Sequence, residues 1–191
     1  MKIASAVSSR REFLSGGIGL LTFVVAGCEK KLTPAQAKAQ SVPLRTLGEA
    51  EGRTIEALGE ILLPGAAAAG LAQYIDHQLS GPVGDSMLML KYLGVAPPFA
   101  PFYRGGIESI EAASQALHSK PLAALDAKEG EALVAAMAQG KIEKWSGPPA
   151  GLFYFTLRSD AVDVVYGTMK GFEQLGVPYM PHIPPQSRWG E

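Results

Sequence analysis

Few side chains in this sequence are equipped for chemistry. The three histidines, His77, His118 and His182, lie far apart, and none sits in H-E-x-x-H or another ligand spacing, so no metal site is expected. Asp76-His77 sets two polar groups side by side, but helical neighbours point about 100° apart, and the pair reads as a solvated helix face. Arg158-Ser159-Asp160 lies in the most apolar stretch of the chain. Its two charges are too close in sequence for an i to i+4 bridge, so each needs a partner elsewhere: on a neighbouring helix, on the C-terminal tail, at an interface or on a substrate. Signatures of a serine nucleophile, a phosphate-cradling loop or a dinucleotide fold are absent, and Gly65-Ala-Ala-Ala-Ala-Gly70 lacks a basic residue and reads as a helix connection. The single cysteine, Cys28, excludes an internal disulfide, an iron-sulfur cluster, a Cys-rich zinc site and covalent c-type haem.

Cys28 and an arginine pair ahead of it carry a different chemistry. Lys2, Arg10 and Arg11 form a basic front, and Gly16 to Gly27 an uncharged, mostly apolar stretch. As a helix that stretch spans about 18 Å, against about 30 Å of hydrocarbon core, so it reads as a cleavable signal and not a membrane span. Ser9-Arg10-Arg11-Glu12-Phe13-Leu14 looks like the twin-arginine export motif, with Arg10, Arg11, Phe13 and Leu14 as the residues read by the translocase; Ser15 stands where Lys is common. The stretch ends in Val25-Ala26-Gly27-Cys28, which resembles a bacterial lipobox with Cys28 as the lipidated residue. Cleavage there leaves a chain of net charge -3, from 14 Lys plus Arg and 17 Asp plus Glu, held on a membrane through lipid at about 0.8 kcal/mol per buried CH₂. The expected location is periplasmic and lipid-anchored.

The elements that follow are helical. Residues 28–48 carry no apolar periodicity and read as a lipidated N-terminus and tether, in which Thr33-Pro34 is placed to start a short helix. From Glu49, Ile55, Leu58, Ile61 and Leu62 share one face until Pro64-Gly65; Leu71, Tyr74, Ile75 and Leu79 mark a second helix ended by Gly81-Pro82; a short one is expected over residues 85–93. Pro101 to Leu117 puts Ile107, Ile110 and Leu117 on one face after a Gly105-Gly106 interruption. Asp126 and Glu129 make a capping box for a helix over residues 127–139 with Leu133 and Met137 inward, packed against a last helix from near Pro149. That last helix, with Leu152, Phe153, Phe155, Leu157, Val162 and Val165, is apolar nearly all round and is expected at the centre. No period-2 strand is expected. The fold class is all-α: five or six helices over residues 49–191, ending in an extended tail. Pro178, Pro181, Pro184 and Pro185 forbid regular structure in that tail, while its apolar side chains must lie on the helical body or on another protein.

With 47% hydrophobic and 18% charged residues and a net charge of -1, the composition fits one compact domain and excludes a disordered chain. There is no basic excess to neutralise a phosphate backbone, so nucleic acid is not an expected partner. Twin-arginine export moves folded proteins, typically with cofactor already inserted. A chain without a cofactor site on that route either folds too fast for threading or carries a folded, cofactor-bearing partner.

Glu60-Ile61-Leu62-Leu63-Pro64-Gly65, Phe153-Tyr154-Phe155-Thr156-Leu157-Arg158-Ser159-Asp160 and the ending with Pro178-Tyr179, Pro184-Pro185 and Arg188-Trp189-Gly190-Glu191 resemble the gluconate 2-dehydrogenase subunit 3 family. The resemblance implies a small subunit without cofactor or catalytic site. Its partner would be a large FAD-dependent, GMC-type flavoprotein that oxidises sugars or sugar acids, with haem c in a cytochrome subunit where one is present. It also implies that the small subunit supplies the export signal the flavoprotein lacks. Arg158, Asp160, Tyr179, Met180, Ile183, Arg188 and Trp189 are the expected partner interface. The chain departs from the family pattern at Ala66 to Ala69 and at Val162-Asp163-Val164-Val165, both expected at a partner contact. The alternative is a self-sufficient helical envelope lipoprotein that binds a ligand or acts as scaffold. A stand-alone oxidoreductase would need a redox centre that these residues do not supply.

Overall fold

The computed structural model describes residues 20–25 and 27–176. They form a two-stranded antiparallel hairpin, β1 (Leu21–Val25) and β2 (Cys28–Leu32), followed by eight helices: α1 (Pro34–Ala39), α2 (Glu49–Leu62), α3 (Leu71–Ser80), α4 (Met89–Tyr92), α5 (Ala100–His118), α6 (Ala127–Ala138), α7 (Ala150–Tyr166) and α8 (Met169–Gln174). Five of the eight are ten residues or longer, and these five make the all-α bundle that the periodicity predicts.

Local signals explain most boundaries. Asp126 accepts from the Glu129 N–H and Glu129 returns to the Asp126 N–H, the reciprocal cap that starts α6. Thr33 and Gln36 make the same box at α1, with Pro34 in its first turn. Behind α2, Glu60 accepts from the N–H groups of Gly65 and Ala67, and Gly65 and Gly70 take the positive φ that the connection to α3 requires.

α7 crosses the middle of the bundle, burying Phe153, Leu157, Ala161 and Val164 against the other helices. The Gly105-Gly106 pair does not interrupt α5, which runs unbroken through both. A Cβ on Gly106 would fall on the Phe153 ring, so the glycine lets α5 and α7 approach closely. Leu117, spaced for the buried face, is 67% exposed: α5 stops one residue later at left-handed Ser119 and the stripe loses its cover. The helix expected over residues 85–93 is reduced to a 3-10 turn at Val83–Asp85 and the single turn of α4. The backbone between them is used sideways, as the Met87 N–H donates to Gln78 and its carbonyl accepts from Tyr74, both on α3. The short α8, capped by the Thr168 hydroxyl, was not legible in the apolar pattern.

The N-terminal segment differs most from expectation. Residues 21–25, read as signal core, form a strand in the uncut chain, with Leu21, Phe23 and Val25 turned to one face. Phe23, Leu32, Ala37 and Val42 close a second, smaller core beside α3. The stretch read as a tether is tied down: Leu47 is in the main core, and the N–H groups of Arg45, Thr46 and Leu47 all donate to the Asp76 carboxylate at 2.8 Å.

Candidate functional site

The Arg158-Ser159-Asp160 motif divides between the two sides of α7. Asp160 is fully buried; one oxygen accepts from the Tyr103 hydroxyl of α5 at 2.5 Å and the other from the Met89 N–H at the start of α4 at 3.0 Å. Burial pushes its carboxyl up to about 7, against the opposing pull of those two donors, and nearby Asp163 adds to the rise. Burial, reinforced by Asp160, likewise raises the Tyr103 hydroxyl, so it stays a neutral donor. Asp160 was expected at the partner interface together with Arg158; it is inside, and its carboxylate is used by this chain's own α4 and α5. Sequence reasoning singled out the aspartate but missed Tyr103, which lies on the buried stripe of α5 and carries no spacing signal.

Arg158 points the other way. It is exposed and has no ion pair among the described residues, so the expected tie to a neighbouring helix does not form within them. Phe155 is 47% and Val162 37% exposed, and with Arg158 they fall at i, i+3 and i+7 on the outer face of α7. The apolar all-round character of this helix therefore has two causes: one face fills the core, and the other leaves an apolar stripe with a guanidinium at its centre. Aromatic and arginine side chains of this kind are enriched where proteins meet.

The two departures from the family pattern come together in space. Ala68 and Ala69 of the α2–α3 connection and Val164 and Val165 of α7 line one cavity of about 520 Å³, which Pro34, Pro64 and Lys170 also border.

Asp76 and His77 do not form a solvated face. Asp76 is buried under the backbone it clamps, and Arg104 reinforces the same segment by donating to the Thr46 carbonyl at 2.5 Å and pairing with Glu51 at 3.1 Å. His77 is half-buried with its ring 5.1 Å from that of Phe23, and its Nε2 lies 3.2 Å from the Thr22 carbonyl. Burial holds its pKa below the usual imidazole value, against the raising effect of that carbonyl. His118 lies 3.6 Å from Glu129, which Lys120 also contacts. Among the described residues no group of three or more His, Cys, Asp or Glu is placed to hold a metal ion. No helix among them is long and apolar enough to cross a membrane.

Cys28 is exposed at the start of β2, its thiol free. Arg10, Arg11, Phe13 and Leu14 of the export motif, and Tyr179, Met180, Ile183, Arg188 and Trp189 of the expected interface, lie outside the described residues, as do His182 and the proline-rich tail.

Compared with known proteins, residues 49–184 match the model of a family described as gluconate 2-dehydrogenase subunit 3. The match begins at the first residue of α2 and takes in the whole five-helix bundle. No curated protein and no solved structure matches the chain.

Proposed function

The chain belongs to the gluconate 2-dehydrogenase subunit 3 family, and from that premise we propose that it is the non-catalytic small subunit of a periplasmic, FAD-dependent, GMC-type dehydrogenase of sugars or sugar acids. In this reading it gives the flavoprotein three things: a twin-arginine signal through Arg10 and Arg11, an assembly surface, and a lipid anchor on Cys28. FAD belongs to the large subunit, and haem c to a cytochrome subunit where the complex has one. The observation that carries the reading is the outer face of α7. Phe155, Arg158 and Val162 stand exposed on a helix whose opposite side is fixed in register by Asp160. An apolar stripe on a helix already fixed in the bundle suits permanent association, because its backbone has little conformational freedom left to lose on binding.

The test is location. Changing Arg10 and Arg11 both to Lys keeps the charge of the basic front but removes the planar guanidinium donors that a twin-arginine receptor reads. Both the precursor and the FAD-loaded large subunit are expected to stay in the cytoplasm, with dye-linked dehydrogenase activity lost from the periplasm and retained in the lysate. A large subunit that still reaches the periplasm would end the carrier role.

The cavity bordered by Pro34, Ala68 and Val164 favours a second reading, a self-sufficient envelope lipoprotein that binds a ligand. Affinity purification from membranes separates the two: the first reading requires a flavoprotein in stoichiometric amount.

A further inference from the structure

The small core beside α3 is built from both sides of Cys28. Of the apolar side chains that close it, Leu21, Phe23 and Val25 come from β1, and Leu32, Ala37 and Val42 from the chain beyond. Residues paired across the hairpin share a face, so Leu21, Phe23 and Val25 lie on the same side as Leu32, Lys30 and Cys28. Cleavage before Cys28, which is part of the function proposed above and on which this inference rests, removes β1 and with it half of this core. Leu32, Ala37, Val42 and the ring of His77 then lose their cover, and β2 loses its hydrogen-bonded neighbour. Among the described residues ahead of Cys28 the main core draws only on Leu21, at its edge, so the helical body keeps its packing.

Charge identifies what takes the place of β1. Residues 28–48 contain Lys30, Lys31, Lys38 and Arg45 against Glu29, a net +3, whereas residues 49–191 carry 10 Lys plus Arg and 16 Asp plus Glu, a net -6. Lys38 is engaged with Glu56, but Lys30 and Lys31 are exposed and have no ion pair among the described residues. The cut chain thus has a basic, newly uncovered apolar patch that begins at the lipidated residue itself, on a body of the opposite sign.

We propose that the surface uncovered by removal of β1, formed by Leu32, Val42 and His77 and edged by Lys30 and Lys31, seats the mature chain on an anionic lipid surface. The lysines meet the headgroups and the apolar side chains enter the interface, while the acidic body is repelled and stands away. A lipid anchor and a basic patch then act as two signals on one short segment, and the seat fixes an orientation that an anchor alone leaves free. In the uncut chain β1 occupies the same surface, so the seat becomes available only on processing.

The test uses the full chain with Cys28→Ser and a specific protease site inserted after Gly27, cut and freed of its leader fragment. Flotation is measured with phosphatidylcholine vesicles containing about one third phosphatidylglycerol. The cut chain is expected to float with these vesicles, and Lys30→Glu with Lys31→Glu to weaken binding on the order of tenfold or more, each lysine near such a surface being worth about fivefold. Val42→Gln is expected to weaken it too. Lys141→Glu with Lys144→Glu, between α6 and α7, is the charge control and should leave binding unchanged. Failure of the cut chain to float, equal loss in the control, or loss of its helical circular dichroism on cutting would each overturn the proposal. So would a chain that ignores vesicles and binds only the large subunit through Lys30 and Lys31. Because the serine chain cannot be acylated, this result is independent of the anchor; labelling Cys28 with a radioactive fatty acid tests that separately.

Discussion

The Tyr103 hydroxyl donates to the Asp160 carboxylate at 2.5 Å in a part of the bundle that water does not reach, joining α5 to α7. The same carboxylate holds the Met89 N–H, so one buried aspartate fixes three helices. The arrangement stands on a balance between desolvation, which favours the protonated acid, and two donors, which favour the anion.

That balance gives stability a definite pH dependence. Unfolded, Asp160 ionises near 3.9; folded, it holds its proton up to about 7. Between those values the folded chain binds more protons, so this group's contribution is full below about pH 4 and is lost as pH rises through 7. The slope is at most about 1.4 kcal/mol per pH unit. Urea unfolding of wild type and Asp160→Asn across this range should show the difference between them changing with pH; parallel curves would mean that the carboxyl does not titrate there.

Asp76→Ala is expected to cost roughly 2 to 4 kcal/mol, because three backbone N–H groups lose a charged acceptor together. Amide hydrogen exchange should speed up first at Arg45, Thr46 and Leu47. Asp76→Asn, which keeps an acceptor oxygen, should recover part of the loss.

At Gly106 helix propensity and packing oppose each other. Alanine gains about 1 kcal/mol in an exposed helix, but here its methyl meets the Phe153 ring, and overpacking of this kind costs roughly 1 to 3 kcal/mol or more. Gly106→Ala should therefore lower the melting temperature, and Gly106→Ala with Phe153→Leu should recover some of it.

Arg158→Glu should leave the melting temperature within about 2 °C, since the side chain is exposed and unpaired among the described residues. If the outer face of α7 holds the large subunit, co-purification should fall at least tenfold, and Phe155→Ala should act in the same direction. Unchanged recovery in both would move the assembly surface elsewhere.

The bundle was legible because its helices announce themselves twice, in periodicity and in punctuation: α2 in Ile55 and Leu58 with Pro64-Gly65 after it, α6 in its Asp126 and Glu129 box. What the sequence concealed lies in pairs that only the fold brings together. Asp76 reads as surface because nothing local says that residues 45–47 will lie across it. Phe155 and Val162 read as core because hydropathy reports a side chain's preference and not the number of faces available to bury it. Asp160 was visible as a charge needing a partner, while Tyr103, the partner, resembles any aromatic on a buried stripe. β1 was hidden by a run so uniformly apolar that alternation within it carries no contrast.

The clamp at Asp76 also decides where a pull on the chain would be felt. Tension applied at residue 28 runs through β2 into α1, which rests on α3 and is tied to α2 by the Lys38–Glu56 ion pair, and is then taken up at residues 45–47, where three N–H groups share one carboxylate and Arg104 grips the Thr46 carbonyl from α5. The load passes sideways into α3 and α5 before it can reach the first turn of α2. The bundle is thus held by its flank, and drag on a bulky assembly would strain a cluster of polar bonds instead of unwinding the family domain from its end.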